Sequence, residues 1–99
     1  MKPVRFLCEA EEEMAEAARY YEQRSGGLGE LFPLRIKAAA GELADRPKAC
    51  PVVREQIRRK LVRQFPYAVL FREDEDEIVI TAVAHRRRRP GYWIRRTTA

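Results

Sequence analysis

Apolar positions along the chain change their period twice. Residues 3–8 (PVRFLC) alternate, placing Val4, Phe6 and Cys8 on one face as a short strand would. Residues 9–24 switch to helical spacing: Ala10, Met14, Ala17, Ala18 and Tyr21 form a single stripe. The acids at its start, Glu9, Glu11, Glu12 and Glu13, complement the positive end of a helix dipole. Ser25-Gly26-Gly27 interrupts the pattern. A second stripe of Leu28, Phe32, Ile36, Ala39, Ala40 and Leu43 predicts another helix over 28–45. Pro33 falls inside it, which predicts either that the helix proper begins near Leu31 or that it kinks at the proline. So short a break makes the two helices an antiparallel hairpin.

The pattern then turns to strands. Pro47 and Pro51 predict a loop over 46–53. Residues 57–63, 67–72 and 77–85 are rich in Val, Ile and Phe and read as three strands. Phe65-Pro66 marks one turn, and Glu73-Asp74-Glu75-Asp76 marks a second, a charged hairpin tip. The last strand, IVITAVAH, is apolar on both faces. One face meets the helices; the other needs a cover, from the C-terminal tail or from a partner. No internal repeat is present. The order β-α-α-β-β-β predicts an α+β fold in one domain, 1–99: a helical hairpin on a largely antiparallel four-stranded sheet, with a basic C-terminal tail.

Charge divides the chain unevenly. Of the net +5, residues 1–47 carry seven basic and nine acidic side chains, whereas residues 48–99 carry thirteen basic and six acidic ones. Five of those six acids lie in 73–77, so the rest of the second half is almost purely cationic and favours an anionic partner. Cys8 and Cys50 lack metal-ligand spacing and read as free thiols. No motif requires a metal or a cofactor. No run of about 18 apolar residues is present, and the N-terminus has no apolar stretch of signal-peptide length, so a cytoplasmic protein with no membrane partner is expected.

Candidate chemistry gathers at the end of the chain, AVAHRRRRPGYWIRR over 82–96. Arg86, Arg87, Arg88 and Arg89 follow the last strand directly. A Pro-Gly turn leads to Tyr92 and Trp93, then Arg95 and Arg96. Guanidinium groups suit phosphate or carboxylate, and the aromatics either pack the tail onto the sheet or stack on a base. Arg54, Arg58, Arg59 and Arg63 alternate imperfectly along the preceding segment, and two or three of them are expected to reach the face of the C-terminal arginines. His85, the sole histidine, is either a general acid/base or a structural residue bonding the tail. Arginine cannot act as a base, so a nuclease here has only His85, Lys60 or Tyr92 to work with.

The blocks EAARYYEQRSGGLGELF, IRRKLVRQFPYAVLF and IVITAVAHRRRRPGYW, together with Pro47, resemble the RelE/ParE superfamily, the toxins of type II toxin–antitoxin modules, also called plasmid-stabilisation proteins. The resemblance covers nearly the whole chain and implies the RelE-like fold and a cognate antitoxin, with operator DNA bound only through that antitoxin. Its RelE-like members cut mRNA on the ribosome; its ParE-like members inhibit DNA gyrase. The resemblance places Arg59, Arg63 and Arg86 where RelE-like nucleases carry cationic residues and Tyr92 at their C-terminal aromatic, so a nuclease would use Arg59, Arg63, His85, Arg86 and Tyr92. Those nucleases also carry an arginine where this chain has Ala68, and the FPY and AVAH blocks look closer to the ParE-like branch. Gyrase inhibition is therefore the expected activity, through Arg58, Arg59, Arg63, Arg86, Arg87, Arg88, Arg89, Tyr92 and Trp93. The alternatives are a ribosome-dependent endoribonuclease and a degenerate, non-toxic nucleic-acid-binding module.

Overall fold

The structure, a computed structural model, describes residues 1–98; Ala99, the last residue of the expected 1–99 domain, lies outside the described residues. The chain runs through β1 (Val4–Phe6), α1 (Cys8–Arg24), α2 (Leu28–Asp45), a 3-10 turn at Pro47–Ala49, β2 (Val52–Arg54), β3 (Ile57–Leu61), β4 (Tyr67–Glu73), β5 (Ile78–His85) and a 3-10 segment, Ile94–Thr98. No helix among the described residues is long and apolar enough to cross a membrane.

The α+β arrangement expected from the periodicity is present, with a correction to the sheet. It has five strands rather than four, in the order β1-β5-β4-β3-β2, and it is mixed. β1 runs parallel to β5 while the other neighbours are antiparallel. The additional strand, β2, begins inside the expected 46–53 loop. Arg54 pairs with Ile57, so Glu55 and Gln56 make a two-residue turn, with Glu55 at φ 50. Such turns favour Gly, Asn or Asp, and none is present to announce one.

The helical hairpin is joined by an unusual cap. Gly27 adopts φ 95, and the Glu22 side chain near the end of α1 accepts the N–H groups of Gly27 (3.0 Å) and Gly29 (2.9 Å) through Oε1. One carboxylate thus satisfies donors that the start of α2 would leave unpaired. The helices approach closely there: a Cβ on Gly29 would lie 2.6 Å from Glu22 Cβ and 2.9 Å from the Ala18 carbonyl oxygen. Helix α2 continues past Pro33 from Leu28 rather than starting at Leu31, because Phe32 and Ile36 are fully buried on either side of the proline.

Both helices cover one face of the sheet. Phe32, Ile36 and Leu43 pack against Val69, Phe71, Ile78, Ile80 and Val83. Tyr21, Phe32, Phe65 and Tyr67 add an aromatic cluster with centroids 4.8–6.2 Å apart. A bulge at Thr81 lets β5 serve both faces. Leu70 pairs with Ala82 but Phe71 pairs with Ile80, leaving Thr81 over, and its hydroxyl donates to the Leu70 carbonyl at 3.3 Å. Before the bulge Ile78 and Ile80 face the helices; after it Val83 does, while Ala82 and Ala84 join Ile57 and Leu70 on the opposite face. Trp93 closes that second face with only 7% of its surface exposed, flanked by Tyr92 and Ile94. The cover required by the doubly apolar strand is the chain's own tail.

Candidate functional site

The arginine run leaves β5 in a turn. The Arg86 N–H donates to the Pro66 carbonyl (2.8 Å) and the Arg88 N–H to the His85 carbonyl (3.0 Å). Gly91 then takes φ 83, which L side chains seldom adopt, and its carbonyl receives the Ile94 N–H (3.0 Å). This reversal seats Trp93 on the sheet and leaves a groove of about 420 Å3 between the two. Its floor is apolar, built from Ala68, Leu70, Ala84 and Trp93. Around it stand Arg54, Arg59, Arg86, Arg88 and Arg89, with His85 and Tyr92.

Charge in the groove is largely uncompensated. Among the described residues, Arg54, Arg59, Arg86 and Arg89 have no carboxylate within ion-pair distance. Arg88 alone of the groove arginines has one: its Nη1 lies 3.4 Å from Glu13 Oε2 on α1, while its guanidinium carbon sits 3.6 Å above the Tyr92 ring. The Tyr92 hydroxyl donates to the same carboxylate oxygen at 2.5 Å. Burial, reinforced by that hydrogen bond and the negative charge of Glu13, pushes the Tyr92 phenol far above its ordinary value. The His85 ring stacks edge-on against Tyr67 at 5.1 Å, and its Nδ1 accepts the Arg87 N–H at 3.0 Å.

The structure gathers most of the residues singled out in sequence, with corrections. Arg59, His85, Arg86, Arg88, Arg89, Tyr92 and Trp93 all line the groove. Arg58 does not. Neighbouring strand positions point to opposite faces, so while Arg59 sides with Ile57, Arg58 turns the other way and donates to the Cys50 carbonyl at 2.7 Å. Arg63 also lies elsewhere. It follows the end of β3 and faces Glu42 of α2 at 3.8 Å, in a separate hollow with Arg35 and Leu61. Lys60 pairs with the same Glu42 at 3.2 Å. Arg87 is exposed and does not line the groove. Arg54, one of the arginines expected to reach this face, does line the groove, carried there by the unexpected β2. The pairing of Glu13 with the tail was not foreseen from sequence. Glu13 and Arg96 meet only because the tail folds back: Arg96 Nη1 donates to Glu13 Oε1 at 2.7 Å.

The groove can hold an anion by charge and an apolar group by contact, and the atoms that would serve as a base are already hydrogen-bonded. The His85 Nδ1 lone pair is committed to backbone, the Tyr92 hydroxyl to Glu13, and the floor presents the methyl of Ala68. Fold and site together define a small α+β protein with a cationic groove. A family model for the ParE toxin of type II toxin–antitoxin systems (parDE) matches residues 4–90, and the chain belongs to that family. Among solved structures, a chain of the chromosomal ParDE toxin–antitoxin system from P. aeruginosa superposes with a TM-score of 0.75 at 16% identity, covering 86% of this chain and 96% of that one. A search of the curated proteins gave no match.

Proposed function

We propose that this toxin arrests growth by binding DNA gyrase through the arginine groove, and that it does not cleave RNA. The observation that carries the reading is the groove floor. RNA cleavage without a metal needs positive charge on the phosphorane and a group to take the 2′-OH proton. At the floor stands Ala68, opposite Ala84, where a nuclease of this superfamily would carry an arginine. One absent charge of that kind is worth about 2–4 kcal/mol at a transition state, roughly 30- to 1000-fold in rate. The hydrogen bonds of His85 and Tyr92 point the same way, since both groups are engaged in holding the tail. Binding needs none of this chemistry, only exposed charge around an apolar seat.

An antitoxin is the expected second partner, supported by the family and by the structural neighbour, a chain of a ParDE toxin–antitoxin system. It would neutralise the cationic half of the chain, and operator DNA would be reached only through it. The test is to induce the toxin alone and follow two readouts. The proposal expects DNA breaks with an SOS response in cells, and loss of supercoiling by purified gyrase when the toxin is added. Rapid cleavage of translated mRNA with intact chromosomal DNA would overturn it in favour of an endoribonuclease. Abundant expression without any slowing of growth would point to a degenerate, non-toxic module.

A further inference from the structure

The edge of β5 is covered by β1 only as far as Ile80, whose carbonyl receives the Leu7 N–H at 2.9 Å. Beyond that point the strand would present the Thr81 carbonyl and the Val83 N–H without a neighbouring strand. Side chains take over. Glu13 Oε1 accepts the Val83 N–H at 3.1 Å, and Arg96 Nη1 donates to both the Thr81 carbonyl (3.2 Å) and Glu13 Oε1 (2.7 Å). The other carboxylate oxygen, Oε2, takes the Tyr92 hydroxyl and faces Arg88. A carboxylate has about four acceptor sites, and here each has a donor. The Glu13 side chain is 11% exposed and that of Arg96 17%, so the cluster is largely withdrawn from water. Burial alone would lower the Arg96 pKa, but the Glu13 hydrogen bond and charge outweigh it and hold the guanidinium ionised. Glu13 is also the sixth residue of α1, beyond the first turn where an acid serves the helix dipole.

We propose that Glu13 is a positioning residue: it locks the C-terminal segment against the free edge of β5 and thereby builds the arginine groove. Through Tyr92 it sets the ring on which Arg88 rests, and through Arg96 it fixes the chain just beyond Trp93. The consequence for growth arrest rests on the gyrase-binding reading above; the lock itself does not.

Trp93 is the only tryptophan, so its fluorescence reports tail docking directly. Glu13→Ala removes four hydrogen-bonding or ionic contacts, two of them from guanidinium groups, and should lower the docked-to-undocked ratio by roughly tenfold or more. The expected result is a red-shifted emission and readier acrylamide quenching, with an unchanged far-UV circular dichroism spectrum and weakened growth arrest. Glu13→Gln keeps one acceptor oxygen for the Val83 N–H, and its NH2 group can donate to the Tyr92 hydroxyl oxygen, but it loses the charge facing Arg96 and Arg88, so it should fall between wild type and Glu13→Ala. That graded order is not expected of a residue that only fills space. If Glu13→Ala does not fold, Arg96→Ala removes the partner cation and should release Trp93 in the same way. Unchanged Trp93 emission and quenching in whichever variant folds would overturn the lock. A released tail with undiminished arrest would uphold the lock and overturn the part given to the groove in growth arrest. If the wild type causes no arrest at all, the gyrase reading fails, and the fluorescence comparison still decides the lock.

Discussion

Replacing Trp93 by alanine tests the architecture most directly. The indole is the largest side chain on the face of the sheet away from the helices, where it covers Ile57, Leu70, Ala82 and Ala84. An aromatic residue of this kind buries about 150–250 Å2. At about 25 cal/mol per Å2 that corresponds to about 4–6 kcal/mol, an upper bound because an unfolded chain is not fully extended. The site opens on a groove, so water fills the space left behind and no closed cavity adds its own penalty. A loss of about 3–4 kcal/mol is therefore expected, within the range for Trp→Ala. A domain of this size has only about 5–15 kcal/mol to lose. The melting temperature should drop by roughly 12–30 °C. Urea titration followed by far-UV circular dichroism measures this without the lost fluorophore. Trp93→Phe, which keeps most of the apolar area, should recover more than half of the loss. If Trp93→Ala stays within about 1 kcal/mol of wild type, close to an ordinary surface value, then the tail does not cover the sheet and the groove does not persist in solution.

Four further outcomes are expected. Ala68→Arg should fill the groove between Arg59 and Arg86 with a fifth uncompensated cation and abolish growth arrest while leaving the circular dichroism spectrum intact; undiminished arrest would remove the groove from the mechanism. Gly29→Ala should cost about 1–3 kcal/mol in thermal or urea unfolding, because its methyl would meet Glu22 Cβ at 2.6 Å and the helices must part. Burial raises the phenol pKa of Tyr92 and also those of Tyr67 and Tyr21 above the ordinary 10, so the unfolded chain ionises first as pH rises. Their contribution is complete below about pH 10 and declines above it, and Tyr92→Phe should flatten the fall in urea midpoint above about pH 10. Alkylation followed by mass spectrometry should modify exposed Cys8 well before buried Cys50, whose thiol pKa is raised by burial, with the Cys8 reaction slowed by its hydrogen bond to Glu9.

The helical hairpin and the three main strands were legible because each buries one regular set of side chains, and a regular set leaves a period in the sequence. β2 was not legible: three exposed residues follow Pro51, and their turn depends on a glutamate at φ 50. Pro33 misled for a related reason, since the local cost of a proline says nothing about the burial of Phe32 and Ile36 that outweighs it. At the site, the arginine run announced itself by composition. Alternation separates Arg58 from Arg59 but does not say which of them sides with the tail, because both faces of the neighbouring strands are apolar. That choice is made by Trp93, from a distant part of the chain. Glu13 read as one of several acids opening a helix; only the return of the tail, more than seventy residues later, distinguishes it from Glu11 or Glu12.

The acidic hairpin tip is fastened away from the arginines. Lys2 bonds Glu73 (3.1 Å) and the Asp74 carbonyl (2.6 Å), and Arg5 grips Glu77 through two hydrogen bonds (3.0 and 2.9 Å). The tip thus stays at the beginning of β5 while the groove lies at its end, eight strand residues and about 26 Å apart. That separation is about three Debye lengths at physiological salt, so the acids barely dim the field of the groove. The molecule presents the unpaired arginines of its groove at one end of β5, and a negatively charged surface pulls on that end first. The molecule should turn groove-first before contact, making encounter faster than random orientation allows and steeply slower as salt is added.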